Sequence, residues 1–292
     1  MVEHIAAVAR VSRRDGAMTR VLIVSRGAKQ VTEEVQRTLD AAFPGYAHID
    51  FDPSHDVRSL LSSHAVVVVA GGDGTVGFMA RALAGSRRRL GILPLGTFNN
   101  FANALAIPPS LDRAIAVVRA GATRPVTLGR VNGRYFLEAA AIGLFGEAIV
   151  LGEKAKDRAF GELGKELGAV VKAESFSFAL SGAFTAHGRS RSLVFTNTPA
   201  TGSRLPIGGS APTDPFLELS IGVGTSRSDI LSRVVASAVG EHSDDEGIRF
   251  QFRTLTITTK PRITVVADNE RIGRTPATVE AVPGALRVFV SA

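Results

Sequence analysis

The sequence predicts an α/β domain with a doubly wound parallel sheet, followed by an antiparallel β-sandwich or barrel with helical insertions. Residues 20–124 alternate apolar strand-like runs with helically spaced apolar residues, the order typical of a parallel sheet covered by helices. From Val126 onward, short β-rich runs are separated by glycine, proline and polar residues. We therefore expect an α/β domain at 18–125 and a β-rich domain at 126–292.

The elements of the first domain follow from apolar spacing and from capping residues. Ser54 is placed to cap a short helix, and Gly121 to end the last helix of the domain. Central strands of a parallel sheet are apolar without interruption, as residues 65–70 are. The predicted strands are 21–24, 47–51, 65–70 and a run from Leu90, and the predicted helices are 31–43, a segment from Ser54, a segment around 76–83, and 111–119.

The second domain is predicted from runs of β-forming residues bounded by turn residues. The predicted strands are 126–131, 135–141, 176–180, 192–196, 217–223, 254–258, 263–267 and 286–290. Helical insertions are expected at 146–172 and 229–239. The first insertion combines an apolar stripe with several lysines, so it either packs on its own domain or lies on an anionic bilayer.

Composition limits the kinds of partner. The 292 residues carry a net charge of +7, which favours anionic partners such as ATP or an acidic membrane surface. Two tyrosines, no tryptophan and no interleaving of basic with aromatic residues argue against nucleic acid. No window reaches the roughly 18 apolar residues of a membrane span. We expect a cytoplasmic protein that would meet any lipid from the aqueous side, at the inner face of the membrane.

Two further features bear on processing and on metal binding. The absence of cysteine excludes disulfides and thiolate metal sites. The first 17 residues lack a long apolar core, so they are interpreted as a disordered extension or as the result of an upstream start codon, and not as a secretory signal.

The strongest functional signal is a glycine-rich loop between a predicted strand and helix. Glycines let backbone amides approach an anion closely, and a helix start adds unpaired N–H groups and the positive end of the helix dipole. A tight turn with a capping Asp or Thr is the structural alternative. A second strand, Gly-Thr turn and helix follow at 90–108, and adjacent parallel strands would direct both loops to one crevice. The first loop consists of Gly71, Gly72, Asp73, Gly74 and Thr75.

These segments resemble the catalytic domain of the diacylglycerol kinase and sphingosine kinase superfamily, particularly its soluble bacterial lipid kinases. The family carries GGDGT in the first loop and PLGT-x-N-D-F-A-R in the second. Here the first is intact, whereas the second reads PLGTFNNFAN, with Asn100 and Asn103 replacing the Asp and the Arg. The family's D-G-E matches residues 268–270, with Asn269 in place of Gly, and its final strand matches PGALRV at 283–288.

The resemblance implies an ATP-dependent and Mg²⁺-dependent lipid kinase with its active site in the cleft between two domains. The acceptor would be the hydroxyl of diacylglycerol or of a related membrane lipid. Glu270 would act as the general base, with Asp268 orienting it. Asp73 would help to handle the Mg²⁺ bound to ATP, or would simply form the turn. The nucleotide contacts implied are Gly71, Gly72, Asp73, Gly74, Thr75, Thr97 and Asn99.

The resemblance also implies a structural Mg²⁺ site. Its ligands would be the Asp214 side chain and the carbonyl oxygens of Ala211 and Phe216, since hard cations prefer oxygen ligands. Pro215 replaces the family's glycine, so an Asp-Pro turn is the alternative.

Two other functions stay open on the sequence. A non-catalytic nucleotide-binding or regulatory protein on the same fold is motivated by Asn100 and Asn103, which remove a carboxylate and a guanidinium. The loop at 25–29 also lacks the family's usual residues, although Arg26 and Lys29 would attract phosphate. An NAD kinase-like enzyme shares GGDGT, but the PLGT segment and the Glu270 region weigh against it.

Overall fold

The computed structural model describes residues 20–25, 30–54, 57, 61, 64–147, 150, 175–201, 205–222 and 248–291. These form two compact units. One contains the described residues up to Arg124 together with the chain end from Leu286, and the other spans Pro125–Ala285. The chain end was predicted to lie in the second domain. It belongs instead to the first unit, because Arg287 and Val288 pair in parallel with Arg89 and Leu90.

The first unit is built on a parallel sheet, as predicted. Its strands lie in the order β2, β1, β3, β4, followed by the end of the last strand of the chain. Every residue of β3 is buried, which agrees with its uninterrupted apolar sequence. The strands are β1 (Arg20–Val24), β2 (Ala47–Asp50), β3 (Val66–Gly71) and β4 (Arg89–Pro94), and the helices are α1 (Glu33–Ala42), α2 (Asp73–Leu83), α3 (Asn100–Ala104) and α4 (Leu111–Ala120).

Helix ends in this unit follow local capping chemistry. Thr32 caps α1 by accepting a hydrogen bond from the Val35 N–H at 3.3 Å, so the helix begins later than the predicted residue 31. Gly121, with φ +79°, ends α4 as predicted. The Ser54 hydroxyl donates to Asp52 Oδ1 at 2.7 Å. Most of the helix predicted from Ser54 lies outside the described residues.

The second unit is antiparallel, which confirms the predicted fold class. One six-stranded sheet has the order β14, β13, β10, β7, β16, β17, and a second group contains β15, β8 and β9 with parts of β5, β6 and β18. One apolar core, including Phe136, Phe195 and Leu255, lies between them. The strands are β5 (Thr123–Val131), β6 (Arg134–Phe136), β7 (Ala139–Gly143), β8 (Phe176–Gly182), β9 (Ala186–Ser190), β10 (Ser192–Thr196), β11 (Ala200–Thr201), β12 (Leu205–Pro206), β13 (Leu217–Ile221), β14 (Ile248–Phe252), β15 (Thr254–Lys260), β16 (Thr264–Ala267), β17 (Glu270–Arg274) and β18 (Ala277–Phe289).

Several predicted strands differ from those observed. The strand predicted at 135–141 is two strands, β6 and β7, because the backbone N–H groups of the intervening residues bond to a side chain and not to a neighbouring strand. The strand predicted at 286–290 is the end of a longer strand that begins at Ala277. Strands β9, β11, β12, β14 and β17 were not predicted. The apolar pattern is weak in β9 (AHGRS) and β17 (ERIGR), whose pairing is set by their neighbours.

The predicted helical insertion at 229–239 lies outside the described residues, as does nearly all of 146–172 and the extension before residue 18. Among the residues that are described, no helix is both long enough and apolar enough to cross a membrane.

Candidate functional site

The two predicted loops follow neighbouring strands. β3 and β4 pair in parallel up to Gly71 opposite Pro94, and the Leu95 N–H donates to the Gly71 carbonyl at 3.0 Å. Both loops therefore leave the same end of the sheet side by side, where parallel α/β sheets bind ligands.

The two loops touch through their glycines. A Cβ atom placed on Gly96 would lie 2.5 Å from the Gly72 Cα, and one placed on Gly72 would lie 3.1 Å from the Gly96 Cα. No side chain fits at the closer of these approaches. Gly72 was predicted to make room for phosphate, and the structure adds a second reason, namely the approach of the other loop.

Helix α2 starts directly in the glycine-rich loop. Its N-cap residue is Gly72, in extended conformation, which has no side chain to bond the first turn. Asp73 and Thr75 lie inside that first turn, so the alternative of an Asp or Thr at the capping position is wrong. Gly74 is exposed, and a Cβ there would meet no protein atom within 4 Å. The helix start thus presents backbone N–H groups and a dipole beside open space.

The two threonines of the loops have different surroundings. Thr75 is buried, and a Cβ on Gly71 would lie 3.0 Å from its Cβ, so Thr75 packs the helix start against the end of β3. Thr97 is exposed in the second loop. A nucleotide contact from either hydroxyl stays a prediction.

Asn99 shapes the second loop. It adopts φ +51°, and its side chain accepts a hydrogen bond from the Gly96 N–H at 3.0 Å and donates to the Gly96 carbonyl at 2.8 Å. Asn103 Nδ2 donates to the Phe98 carbonyl at 2.7 Å, and Asn100 is buried at the start of α3. The Asn99 side chain was predicted to contact nucleotide, which stays a prediction, while its observed bonds close the loop.

The turn between β16 and β17 contains Asp268 and Asn269, both with positive φ (+42° and +72°). Asparagine tolerates this conformation, which explains why it can replace the family's glycine. The Asp268 carboxylate accepts hydrogen bonds from the backbone N–H groups of Leu137 at 2.7 Å and Glu138 at 2.9 Å. Asp268 was expected to orient Glu270, which stays a prediction. The observed bonds show that Asp268 holds the backbone between β6 and β7.

Glu270 is the first residue of β17, and not part of a loop as predicted. Its side chain is 48% exposed, and its Oε2 lies 2.7 Å from Arg134 Nη2. Arg134 was not singled out in the sequence, because its partner lies 136 residues away. The neighbouring Arg130 pairs with Glu280 at 2.9 Å, and this hydrogen bond raises the pKa of Arg130.

The predicted metal ligands Ala211 and Asp214 bond to each other. Asp214 Oδ2 accepts from the Ala211 N–H at 2.8 Å, and the Asp214 N–H donates to the Ala211 carbonyl at 2.9 Å. These bonds fit the Asp-Pro turn alternative. Metal binding by Asp214, Ala211 and Phe216 stays a prediction. Within the described parts of the chain, no group of three or more acidic or histidine side chains is arranged to hold a metal ion.

Paired loops at the ends of adjacent parallel strands, together with an antiparallel β unit, define the class of fold, and sequence comparison relates the chain to known families. Residues 24–131 match the diacylglycerol kinase catalytic domain, and residues 168–290 match the YegS C-terminal NAD kinase beta sandwich-like domain. The resemblance read from the motifs is thereby confirmed: the chain contains a diacylglycerol kinase catalytic domain and a YegS-type C-terminal domain.

Curated relatives agree with this family over parts of their length. An uncharacterized protein of Synechocystis is 26% identical, over 76% of this chain and 54% of that protein. A diacylglycerol kinase of Bacillus subtilis is 34% identical, over 39% of this chain and 40% of its own length. A diacylglycerol kinase of Staphylococcus epidermidis is 40% identical, over 30% and 28%. The chain thus matches about half or less of the length of these relatives.

Solved structures share the fold. A crystal structure of a diacylglycerol kinase from Bacillus anthracis superposes with a TM-score of 0.73 at 23% identity, covering 95% of this chain and 99% of that one. A yeast NADH kinase superposes with a TM-score of 0.56 at 9% identity, covering 95% and 85%. At these identities the likeness shows the fold alone.

Proposed function

We propose that this protein is an ATP-dependent lipid kinase that transfers the γ-phosphate to the hydroxyl of diacylglycerol or a related membrane lipid. The observation that carries the proposal is the start of α2. Gly72 leaves this helix without a capping side chain, Gly74 faces open space, and the second loop lies against the first through Gly96. The match to the diacylglycerol kinase catalytic domain supports the reaction class.

The residues of the first unit fit a phosphate chain. The N–H groups of the first turn of α2 would donate to phosphate oxygens, and the helix dipole would favour their negative charge. The open space beside Gly74 would admit the phosphates without displacing a side chain. In this proposal Thr97, exposed in the second loop, donates its hydroxyl to phosphate or ribose.

Asp73 is the proposed contact to the metal. Its carboxylate stands in the first turn of α2, next to the amides that would hold the phosphates. When bound, Mg²⁺ would neutralise charge on the phosphates, and it commonly uses only one or two protein carboxylates. The lack of a larger acidic cluster in the described residues is compatible with that role.

Glu270 is the proposed general base in the second unit. Phosphoryl transfer requires mainly positioning and charge stabilisation, so the protein's chemical task is to accept the proton of the acceptor hydroxyl. The exposed Glu270 carboxylate can serve this task, and Asp268 supports it by fixing the turn that precedes it. The lipid acceptor is proposed from the relatives called diacylglycerol kinase and from the net charge of +7, which suits an anionic membrane surface.

The first experiment tests the nucleotide site. Gly74→Val should abolish ATP binding, because its side chain would occupy the space proposed for phosphate, while circular dichroism and compactness remain near wild type. The matched control is Val67→Ala in buried β3, which should lower stability without abolishing ATP binding. Unchanged ATP affinity in a folded Gly74→Val protein would refute the phosphate-loop assignment.

The second experiment tests the reaction. The wild-type protein is incubated with radiolabelled ATP and Mg²⁺, in separate reactions, with a mixed lipid extract, with diacylglycerol vesicles and with NAD. Labelled lipid supports the proposal, whereas labelled NADP would favour the NAD kinase-like alternative.

A non-catalytic nucleotide-binding protein is the second candidate. Asn100 and Asn103 stand where the family has a carboxylate and a guanidinium, and Asn103 is bonded within its own loop. ATP binding without transfer to any acceptor would establish this candidate. Restoring the family residues with Asn100→Asp and Asn103→Arg would then test whether those two positions caused the loss.

A further inference from the structure

Arg134 stands at the start of a strand whose preceding turn is fixed to the rest of the second unit. Asn132 and Gly133 form this turn, with φ of +48° and +84°. The Asn132 N–H donates to the Thr278 carbonyl at 3.1 Å, and Asn132 Oδ1 accepts from the Thr278 N–H at 3.0 Å. The backbone that carries Arg134 is therefore tied to the beginning of β18.

The other end of β6 is fixed by the turn that precedes Glu270. Asp268 binds the N–H groups of Leu137 and Glu138, three residues and more beyond Arg134, and lies two residues before Glu270. Arg134 and Glu270 thus stand on two hairpins that are hydrogen-bonded to each other. The 2.7 Å contact between their side chains follows from this arrangement.

The contact itself contributes little to stability. The Arg134 and Glu270 side chains are 56% and 48% exposed, and ion pairs this exposed contribute little to stability because solvent screens them. What a guanidinium can provide at such a site is geometry, because its planar donors hold a carboxylate oxygen in a defined direction. The ion pair with Arg134 thereby restricts the orientations of the Glu270 carboxylate.

We infer that Arg134 is a positioning residue for Glu270, holding Oε2 so that the carboxylate meets the acceptor hydroxyl in one orientation. This inference rests on the proposed role of Glu270 as general base. Arg134 acts through Glu270 and does not touch the reacting atoms. Since a base works only within hydrogen-bond reach of its proton and in suitable alignment, loss of the restraint lowers the rate of transfer more than it lowers ATP binding.

The test compares Arg134→Gln, Arg134→Lys, Glu270→Gln and the Arg134→Gln/Glu270→Gln double variant. The matched control is Arg130→Gln, which removes a guanidinium from the same hairpin but from a different carboxylate, Glu280. Thermal midpoints, ATP affinity, kcat and the KM for a lipid that the wild type phosphorylates are measured for each protein.

Arg134→Gln should lower kcat by about 10- to 100-fold, with the KM for ATP and the thermal midpoint near wild type. Arg134→Lys should recover part of the loss, and Arg130→Gln should leave kcat near wild type. In the double variant, Arg134→Gln should add nothing to the loss caused by Glu270→Gln, because the two side chains act as one unit.

Each contrary outcome identifies which idea fails. Wild-type kcat in Arg134→Gln, together with an impaired Glu270→Gln, overturns this inference and leaves the proposed function intact. Losses that multiply in the double variant show that Arg134 acts independently of Glu270, which also overturns it. A wild-type protein that phosphorylates no acceptor overturns the proposed function, and the positioning role with it.

Discussion

The loops at the ends of β3 and β4 and the turn between β16 and β17 reach their conformations by different means. The loops are shaped by backbone approach, with Gly72 against Gly96 closer than any side chain permits. The turn is shaped by side chains, with Asp268 bonded to distant backbone N–H groups and Glu270 paired with Arg134. The loops therefore depend on residues that lack a side chain, whereas the turn depends on hydrogen-bond partners from another part of the chain.

This difference determines which substitutions should lower stability or activity in each region. In the loops, a substitution that adds a methyl group should have the larger effect. It lowers stability where the methyl group would meet other protein atoms, and it lowers ligand binding where the methyl group would occupy space proposed for a ligand. In the turn, removing an oxygen or a charge is the disturbing change, because buried N–H groups lose their acceptor.

The largest effect is expected from Glu270→Gln, which keeps the shape of the side chain and removes the proposed base. General-base catalysis typically contributes about 10²–10⁴-fold, so transfer to lipid should fall within that range while ATP binding is kept. Steady-state kinetics and ATP titration measure these effects.

Glu280→Gln is the matched control for this variant, since Glu280 is also paired with an arginine of the β5–β6 hairpin. It should keep most of the transfer activity. If Glu270→Gln turns over lipid at the wild-type rate, the base assignment fails and Asp73 becomes the next candidate.

The next largest effect is expected from Asp268→Ala. It removes the acceptor of the Leu137 and Glu138 N–H groups, at a cost of about 3 kcal/mol in the free energy of unfolding. Asp268→Asn, which keeps one acceptor oxygen and tolerates positive φ, should lose less. Urea unfolding and hydrogen exchange at residues 137–139 measure the loss. Unaltered exchange protection at these amides in Asp268→Ala contradicts the anchoring role.

Asp73→Asn removes a charge with little change in volume. If Asp73 contacts the metal, turnover should fall by about 100-fold, which corresponds to about 2.7 kcal/mol of activation free energy. Turnover is measured across a range of Mg²⁺ concentrations, with Asp112→Asn, another first-turn aspartate, as the control. An active Asp73→Asn protein with normal Mg²⁺ dependence would reduce Asp73 to a turn residue.

The smallest effect is expected in the stability of two glycine variants, one in each of the paired loops. Gly96→Ala places a methyl group 2.5 Å from the Gly72 Cα, so it should cost about 1–3 kcal/mol of stability. Gly74→Ala meets no protein atom and lies in a helix, so its stability should equal or exceed that of wild type. Thermal denaturation without ligand compares them, and equal midpoints would show that the loops move apart readily.

Much of the first unit could be predicted because its signals are local. Unbroken apolar runs indicated β3 and β4, and Gly121 indicated the end of α4. The side-by-side loops followed from the rule that adjacent parallel strands end at the same edge. The second unit was harder to predict, since a run such as 135–141 shows a uniform β pattern and yet is split into β6 and β7 by a side chain from another hairpin.

The sequence by itself determined the two-part fold, the family and the identity of the loop and turn motifs, because these depend on the order and spacing of neighbouring residues. The tertiary structure decided that the chain end joins the first unit, that Gly72 faces Gly96, that Asp268 holds Leu137 and Glu138, and that Arg134 meets Glu270. The physical reason is the same in each case. These contacts join residues far apart in the chain, and only the pairing of strands brings their backbones within bonding distance.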